Sequence, residues 1–398
     1  MSLTLLLDLD DTLLVNSTEK FLPVYLQALT RELSQYAPPE QLIGRLLDSV
    51  RRMMENRRPD CTLKEVFDES FYPTLGLDPE ALAEPIERFY DEVFPTLQYI
   101  TSPRPASVTL VQEALRRGYR LVIATNPLFP RKAMLHRLSW AGFSPQEYRF
   151  PLVTSYEVFH FCKPNPAYYA EILATLGWPE EPVVMLGDDL DNDIRAARML
   201  GIPAFWLKKD GVQPPDGPFG PSASGEIEDF LPWLDSLSAE ALEPDYSLPS
   251  AMLAVLLSTP AALDTYVKNV PLERWNIRPS ADEWSITEIL CHLRDVDGEV
   301  NYPRVKKVLE ETNPFIPGKD TDPWADERGY IHEPGPAALQ AFTRVRLQLL
   351  ETLENLTDEE WQRTARHAIL GPTRLSELVG IIAAHDRLHI RQIRELIQ

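Results

Sequence analysis

The run LLLDLDDTLL near the start of the chain places Asp8, Asp10 and Thr12 at two-residue spacing where an apolar stretch ends. Carboxylates at the exit of a buried strand lie where open α/β sheets bind ligands. A second acidic group follows in VVMLGDDLDND, where a buried run ends at Gly187 and is followed by Asp188, Asp189, Asp191 and Asp193. Carboxylates crowded in this way repel one another unless a cation compensates, and a divalent ion with oxygen ligands does so. Between the two groups, LVIATNP ends another strand-like run with Thr125 and Asn126, whose hydroxyl, amide and backbone N–H groups suit phosphate oxygens. Lys163, in CKPNP, precedes a helical stretch and adds a positive charge. Singly, each piece is ordinary turn or strand-exit chemistry.

Taken in order, DxDxT, Thr-Asn, Lys and GDDxxxD resemble the four motifs of the haloacid dehalogenase superfamily, over about residues 1–237. The resemblance implies that Asp8 attacks phosphorus and becomes an aspartyl-phosphate. Asp10 would first protonate the leaving group and then deprotonate the hydrolytic water. Asp8, the backbone carbonyl of Asp10 and Asp188 would hold Mg²⁺. Asp193 would orient the lysine or a metal-bound water, with Asp189 second to it. Thr125, Asn126 and Lys163 would bind the phosphoryl group. A phosphoester repels an anionic nucleophile, so cations must first neutralise it. The presence of Asp10 favours phosphatase chemistry, since the dehalogenating members lack that acid. The stretch at about 16–100 resembles the superfamily's helical cap, which would close over a small phosphorylated metabolite.

A second constellation lies in the last third. Of seven histidines, five follow residue 250. His385 and His389, in AAHDRLHIRQ, are four apart and share one face of a helix. His292 shares an apolar stripe with Ile289, Leu293 and Val296 and so points inward. Three imidazoles meeting inside a bundle can bind a divalent metal with positions left open. ADEWSITEILCHLRDVD, together with HDRLH, resembles the DinB-like metal-binding four-helix bundles, over about residues 248–398. Members with known chemistry are metal-dependent thiol transferases or related hydrolases. The resemblance implies one transition-metal ion, with Zn, Ni and Fe suited comparably, and a low-molecular-weight thiol as a partner. The alternative is a non-catalytic binding or dimerisation module. Cys291, about 100° around the helix from His292, is expected to pack in the core, as are Trp275, Trp284 and Trp324. His332 and His367 lie in loop-like stretches and are not expected to be ligands.

The elements that must position these groups alternate. Thr4–Leu9, Arg120–Ala124, Pro151–Thr154, Val183–Leu186 and Ala204–Leu207 read as strands. Thr109–Arg117, Arg131–Trp140, Pro166–Leu176 and Asn192–Leu200 read as helices between them. Alternation of this kind means a doubly wound parallel sheet. Phe21–Tyr36, Glu40–Asn56 and Pro79–Phe94 have helical periodicity and form the inserted cap. After a Gly/Pro-rich loop at Lys208–Pro221 and a last helix at Glu226–Leu237, the pattern changes to long helices: Ala251–Val267, Ile286–Glu311, Ala337–Leu356 and Leu375–Ile397. Two domains are expected, 1–243 and 244–398, the second an all-α four-helix bundle.

With 398 residues and a net charge of −21, spread over two acidic halves, the chain lacks the basic footprint of a nucleic-acid or anionic-membrane binder. Its three cysteines form no CxxC pair. The short apolar N-terminus lacks the basic region of a signal peptide, and no apolar run approaches the ~20 residues of a membrane span. A cytoplasmic enzyme is expected, its oligomeric state and phosphorylated substrate left open.

Overall fold

Aliphatic runs too short for helices form the centre of the first unit. In the computed structural model, which describes residues 2–209, 211–214 and 217–397, Thr4–Leu7 (β1), Arg120–Ile123 (β2), Val183–Gly187 (β3), Ala204–Leu207 (β4) and Ala223–Gly225 (β5) pair in parallel in the order β2-β1-β3-β4-β5. Leu7 lies opposite Ile123 on one side and Leu186 on the other. All side chains of β1, β3 and β4 are buried. The chain leaves β1 towards β2 and later returns to the opposite side as β3. The C-terminal edge of β1 is therefore a switch point, the place where such sheets bind ligands.

The sheet is flanked by α5 (Pro105–Arg116), α6 (Arg131–Trp140) and a π turn at Leu190–Arg195 that runs into Ala196–Met199; helix α7 is Pro166–Thr175. The expected strand at Pro151–Thr154 shrinks to one bridge, Val153 with Ile123. Pro151 has no N–H to extend the ladder, and the Thr154 hydroxyl donates to the Thr125 carbonyl at 2.5 Å.

The cap contains α1 (Thr18–Leu33), α2 (Pro39–Met54), α3 (Leu63–Leu75) and α4 (Pro79–Arg88). A short antiparallel ribbon, Leu14–Val15 with Ser102–Pro103, pins the two crossings between sheet and cap. Helix α3 was not expected. A capping box of Thr62 and Glu65 starts it, and Gly76, at φ +66°, ends it. Pro73 interrupts the sequence pattern but sits in the last turn, so the one backbone bond that its missing N–H removes lies at the helix's end.

The second unit is built on α8 (Pro249–Val267), α9 (Ile286–Val296), α10 (Gly335–Glu354) and α11 (Leu375–Ile397). Helix α9 passes through a π turn at Asp297–Asn301 and continues as Tyr302–Glu310. Both α8 and α9 pack on α10 and α11. Fully buried Arg346 joins the four helices: it donates to Asp297 at 2.7 Å, to Asp386 at 3.0 Å and to the Leu256 carbonyl at 3.0 Å. A small three-stranded sheet, also not expected, joins Phe315–Ile316, Thr364–His367 and Gly371–Arg374. By length and composition alone α8 could cross a membrane, but 78% of that stretch is buried, as in a core helix.

The compact units are the chain up to Tyr168 with Pro179–Pro244, and Tyr169–Trp178 with the chain from Asp245 onward. The segment 169–178 is tied within its unit. Tyr266 Oη donates to the Ala174 carbonyl at 2.6 Å, and Arg391 donates to the Trp178 carbonyl at 3.0 Å.

Candidate active site and metal centre

The edge formed by the ends of β1, β2 and β3 collects the acidic motifs. Asp8 follows β1 with its N–H on the Leu186 carbonyl. Asp11 takes a left-handed conformation, φ 54°, which turns the chain after the second aspartate. Buried Thr12 donates to Asp188 Oδ1 at 3.2 Å, tying the first motif to the last.

Lys163 is the hinge of the charge arrangement. Its Nζ lies 2.8 Å from Asp8 Oδ1 and 2.6 Å from Asp193 Oδ1. Asp193 Oδ2 accepts the backbone N–H groups of Asp188 and Asp189, each at 3.0 Å. Both Asp193 oxygens are thus engaged, and the group is shaped to hold the lysine. Asp189 is a cap: its carboxylate accepts the N–H groups of Asp191 and Asn192. Asp188 Oδ2 faces Lys209 Nζ at 2.5 Å, and its carbonyl accepts from Trp206 Nε1 at 2.9 Å. Gly187 is required here, because a Cβ at that position would stand 2.3 Å from Asp193 Oδ2.

Oxygens of Asp8, Asp188 and Asp193 lie within 4.8 Å of one another. Burial pushes the Asp8 carboxyl up against the pull of Lys163. Burial, then the charge of Asp193, raises Asp188; burial, then the charge of Asp8, raises Asp193. Buried carboxylates that raise one another in this way suit a hard cation with oxygen ligands.

Thr125 and Asn126 follow β2 and line the same cavity as Asp8 and Lys163. The Thr125 carbonyl accepts from Tyr168 Oη at 2.7 Å, and Asn126 Oδ1 accepts the Lys163 N–H at 3.3 Å. Asp10 accepts from Asn16 Nδ2 at 2.7 Å and from Arg137 Nη2. Arg137, Lys209 and Asn16 were not foreseen. The first two lie far from the motifs in sequence. Nothing in RKAMLHRLSW marks Arg137 as the buried one of its helix's basic residues.

The second cluster lies on α9 and α11. His292 Nε2 and His389 Nε2 lie 3.1 and 3.0 Å from His385 Nε2. A neutral imidazole nitrogen carries one hydrogen or one lone pair, so His385 Nε2 cannot make both contacts as good hydrogen bonds. Three lone pairs around one cation resolve the conflict. Gln392 Oε1, 2.7 Å from His389 Nδ1, accepts a hydrogen there and leaves the Nε2 lone pair free to bind. Burial and mutual proximity push His292 and His389 down to about 3 and His385 to about 4, which keeps the rings neutral. His292 Nδ1 is buried with no protein partner among the described residues. A cavity of about 700 Å³ opens on the three rings.

Trp284 lines that cavity and stacks on His389, with centroids 6.0 Å apart. Trp275 and Trp324 are buried. Burial pushes the Cys291 thiol up to about 12, as befits a packed side chain. His332 lies in a 3₁₀ turn and His367 in a strand, outside the cluster.

Residues 3–201 match the family model of haloacid dehalogenase-like hydrolases, and residues 256–393 that of the DinB superfamily. A phosphoserine phosphatase of Thermus thermophilus is 30% identical over 166 residues, 41% of this chain and 59% of that protein. A phosphoglycolate phosphatase of Caulobacter vibrioides is 27% identical over 258 residues, 65% of this chain and 94% of that protein. A protein of Oceanobacillus iheyensis named "Putative metal-dependent hydrolase OB0782" is 27% identical over 114 residues, 28% of this chain and 64% of that protein.

Proposed function

Because this chain belongs to the haloacid dehalogenase-like hydrolases, we propose that it is a Mg²⁺-dependent phosphohydrolase of small phosphorylated metabolites with Asp8 as the covalent nucleophile. The observation that carries this reading is Lys163 Nζ between Asp8 and Asp193, beside Asp188. Lys163 and the polar groups of Thr125 and Asn126 hold the phosphoryl oxygens against Asp8. An Asp8 oxygen bonds to phosphorus, the ester P–O bond breaks, and Asp10 gives its proton to the leaving alkoxide. Asp10 then takes a proton from water as the water oxygen displaces Asp8 from phosphorus, returning free phosphate. Asp8, the Asp10 carbonyl and Asp188 are suited to Mg²⁺, which supplies positive charge at the phosphoryl oxygens when bound. Asp193 is a positioning residue for Lys163.

We assign to His292, His385 and His389 one divalent transition metal, Zn, Ni or Fe. The cavity beside them favours a second metal-dependent enzyme acting on a small molecule, a low-molecular-weight thiol being the candidate partner. A non-catalytic binding or dimerisation module is the competing reading, and a metal fully enclosed by protein ligands would favour it. Cytoplasmic placement is part of the proposal, in keeping with three buried cysteines that form no disulfide among the described residues.

The test is phosphate release by the full chain over a panel of phosphomonoesters, with and without Mg²⁺, and mass spectrometry of the acid-quenched enzyme. Turnover that needs Mg²⁺ and a phosphoryl adduct on Asp8 are expected. Turnover unchanged by chelators, or by Asp8→Asn, would overturn the mechanism.

A further inference from the structure

The cavity that opens on Asp8 has a volume of about 500 Å³, within the range that encloses small ligands. Its charged lining comes from the sheet edge and from α6. Its other wall comes from the cap, where Leu29, Leu33, Leu46, Val50, Phe67 and Phe71 face it from α1, α2 and α3. Among the described residues, no acidic or basic side chain of these three helices lines it. The cap hydroxyls of Tyr25 and Tyr90 bond to each other at 3.0 Å, deep in the protein. The cations along the wall each hold a carboxylate: Lys163 holds Asp8 and Asp193, Lys209 holds Asp188, and Arg137 holds Asp10.

A phosphomonoester such as phosphoserine or phosphoglycolate carries a second charge a few bonds from phosphorus. In this cap that charge would be desolvated against leucine and phenylalanine, with neutral hydroxyls such as those of Thr18 and Tyr72 but no charged partner from these helices, an unfavourable transfer. A hydrocarbon body would instead gain about 0.8 kcal/mol per buried methylene, about fourfold in affinity.

We propose that the alcohol portion of the substrate is apolar: the preferred substrates are alkyl or aryl phosphomonoesters whose hydrocarbon lies between α1, α2 and α3. The proposal rests on the reading of Asp8 as a phosphohydrolase nucleophile and narrows the class of substrate. Hydrolysis follows the balance already given, releasing the hydrophobic alcohol and phosphate.

The test uses the full chain, Mg²⁺ and n-alkyl phosphates from ethyl to octyl, beside phosphoserine and phosphoglycolate. We expect kcat/KM to rise about two- to fourfold per methylene, and the octyl ester to exceed both charged substrates by at least tenfold. Leu47→Glu, on a side chain of α2 that lines the cavity and is 43% exposed, should lower the octyl-to-ethyl ratio about tenfold. A flat or falling series with ready turnover overturns the apolar class and leaves the phosphohydrolase intact. No phosphate from any ester sinks the phosphohydrolase reading instead. The class of ligand is then read by calorimetry of the same esters on Asp8→Asn protein: affinity that tightens with chain length supports it, and affinity independent of chain length overturns it.

Discussion

Arg137 Nη2 donates to the carboxylate of Asp10 from a side chain that is only 5% exposed. The guanidinium lies 5.7 Å from the Phe21 ring centroid and 5.2 Å from that of Phe129, and its Nε has no partner among the described residues. The cation is buried in an aromatic setting with one carboxylate to balance it. Asp10 is better placed, since it also accepts from Asn16 and its side chain is 26% exposed.

Removing the acid should therefore harm the fold more than removing the base. Breaking a buried pair from one side leaves an uncompensated charge, at a cost of about 3–5 kcal/mol. Asp10→Ala is expected at the low end of that range, because Asp10 is partly solvated. Asp10→Asn keeps an acceptor and should cost about half as much. Arg137→Met, which fills the aromatic pocket with apolar atoms, should be the mildest. Denaturant melts of the full chain, followed through the first transition, would show this order; Arg137→Met as the least stable of the three would contradict it.

Asp8→Asn is expected to leave the melting transition nearly unchanged, since the amide oxygen can still face Lys163. Mg²⁺-dependent phosphate release should fall by at least about a thousandfold, as for other residues that act as a unit with their neighbours. The measurement is steady-state phosphate release on a substrate the wild type turns over. Residual activity within tenfold of wild type would rule out covalent catalysis at this position.

Gly187→Ala tests the positioning of Lys163 without substituting a charged group. The new methyl would meet Asp193 Cβ and Cγ at 2.4 Å, so Asp193 must move and Lys163 loses its second anchor. A displacement of about 1 Å in a catalytic array can cost about a hundredfold in rate. The fall should appear in kcat, with the metal content of the histidine cluster unchanged. A wild-type kcat would mean that Lys163 does not need Asp193.

Much of this arrangement is legible in the sequence because a strand period and a motif fall together. The apolar run Thr4–Leu9 is too short for a helix and reads as a buried strand, and a buried strand there delivers Asp8 to the sheet's edge. The inward stripe on α9 and the four-residue spacing on α11 likewise bring the three histidines together. What is not legible depends on tertiary context. Whether Arg131, Lys132 or Arg137 turns inward is decided by Phe21 of α1 and Phe129 of the loop before α6, and Lys209 reaches Asp188 only once β3 and β4 are paired. Helix α3 had a local signal, Thr62 with Glu65 three residues on, that the interruption at Pro73 obscured.

The segment Tyr169–Trp178 bears on truncation. It belongs to the unit of the helical bundle, where Tyr266, Arg391 and Tyr246 engage it, the last through a ring contact of 5.5 Å with Trp178. A fragment of residues 1–243 keeps this segment and loses those partners. We expect it to be less soluble than the full chain and to melt at least several degrees lower. Matching scanning calorimetry of the fragment and of the first transition of the full chain would show the bundle to be dispensable.

The final prediction concerns the metal. Zinc–imidazole bonds are about 2.0–2.1 Å long, and the three Nε2 atoms already stand 3.0–3.1 Å from one another in the two closest pairs. Little rearrangement separates this cluster from a bound ion. Protein purified without a histidine tag should carry one transition-metal ion per chain, by elemental analysis. His292→Ala and His389→Ala should each abolish it. Gln392→Leu should weaken retention about 10- to 100-fold, the usual cost of removing a group that orients a ligand, because the His389 tautomer is then no longer fixed. Mg²⁺-dependent phosphate release should be unaffected in all three. Retained metal in His292→Ala would show that the ion binds elsewhere. Wild-type protein that takes up no zinc, nickel or iron even after reconstitution would reduce the cluster to three packed rings.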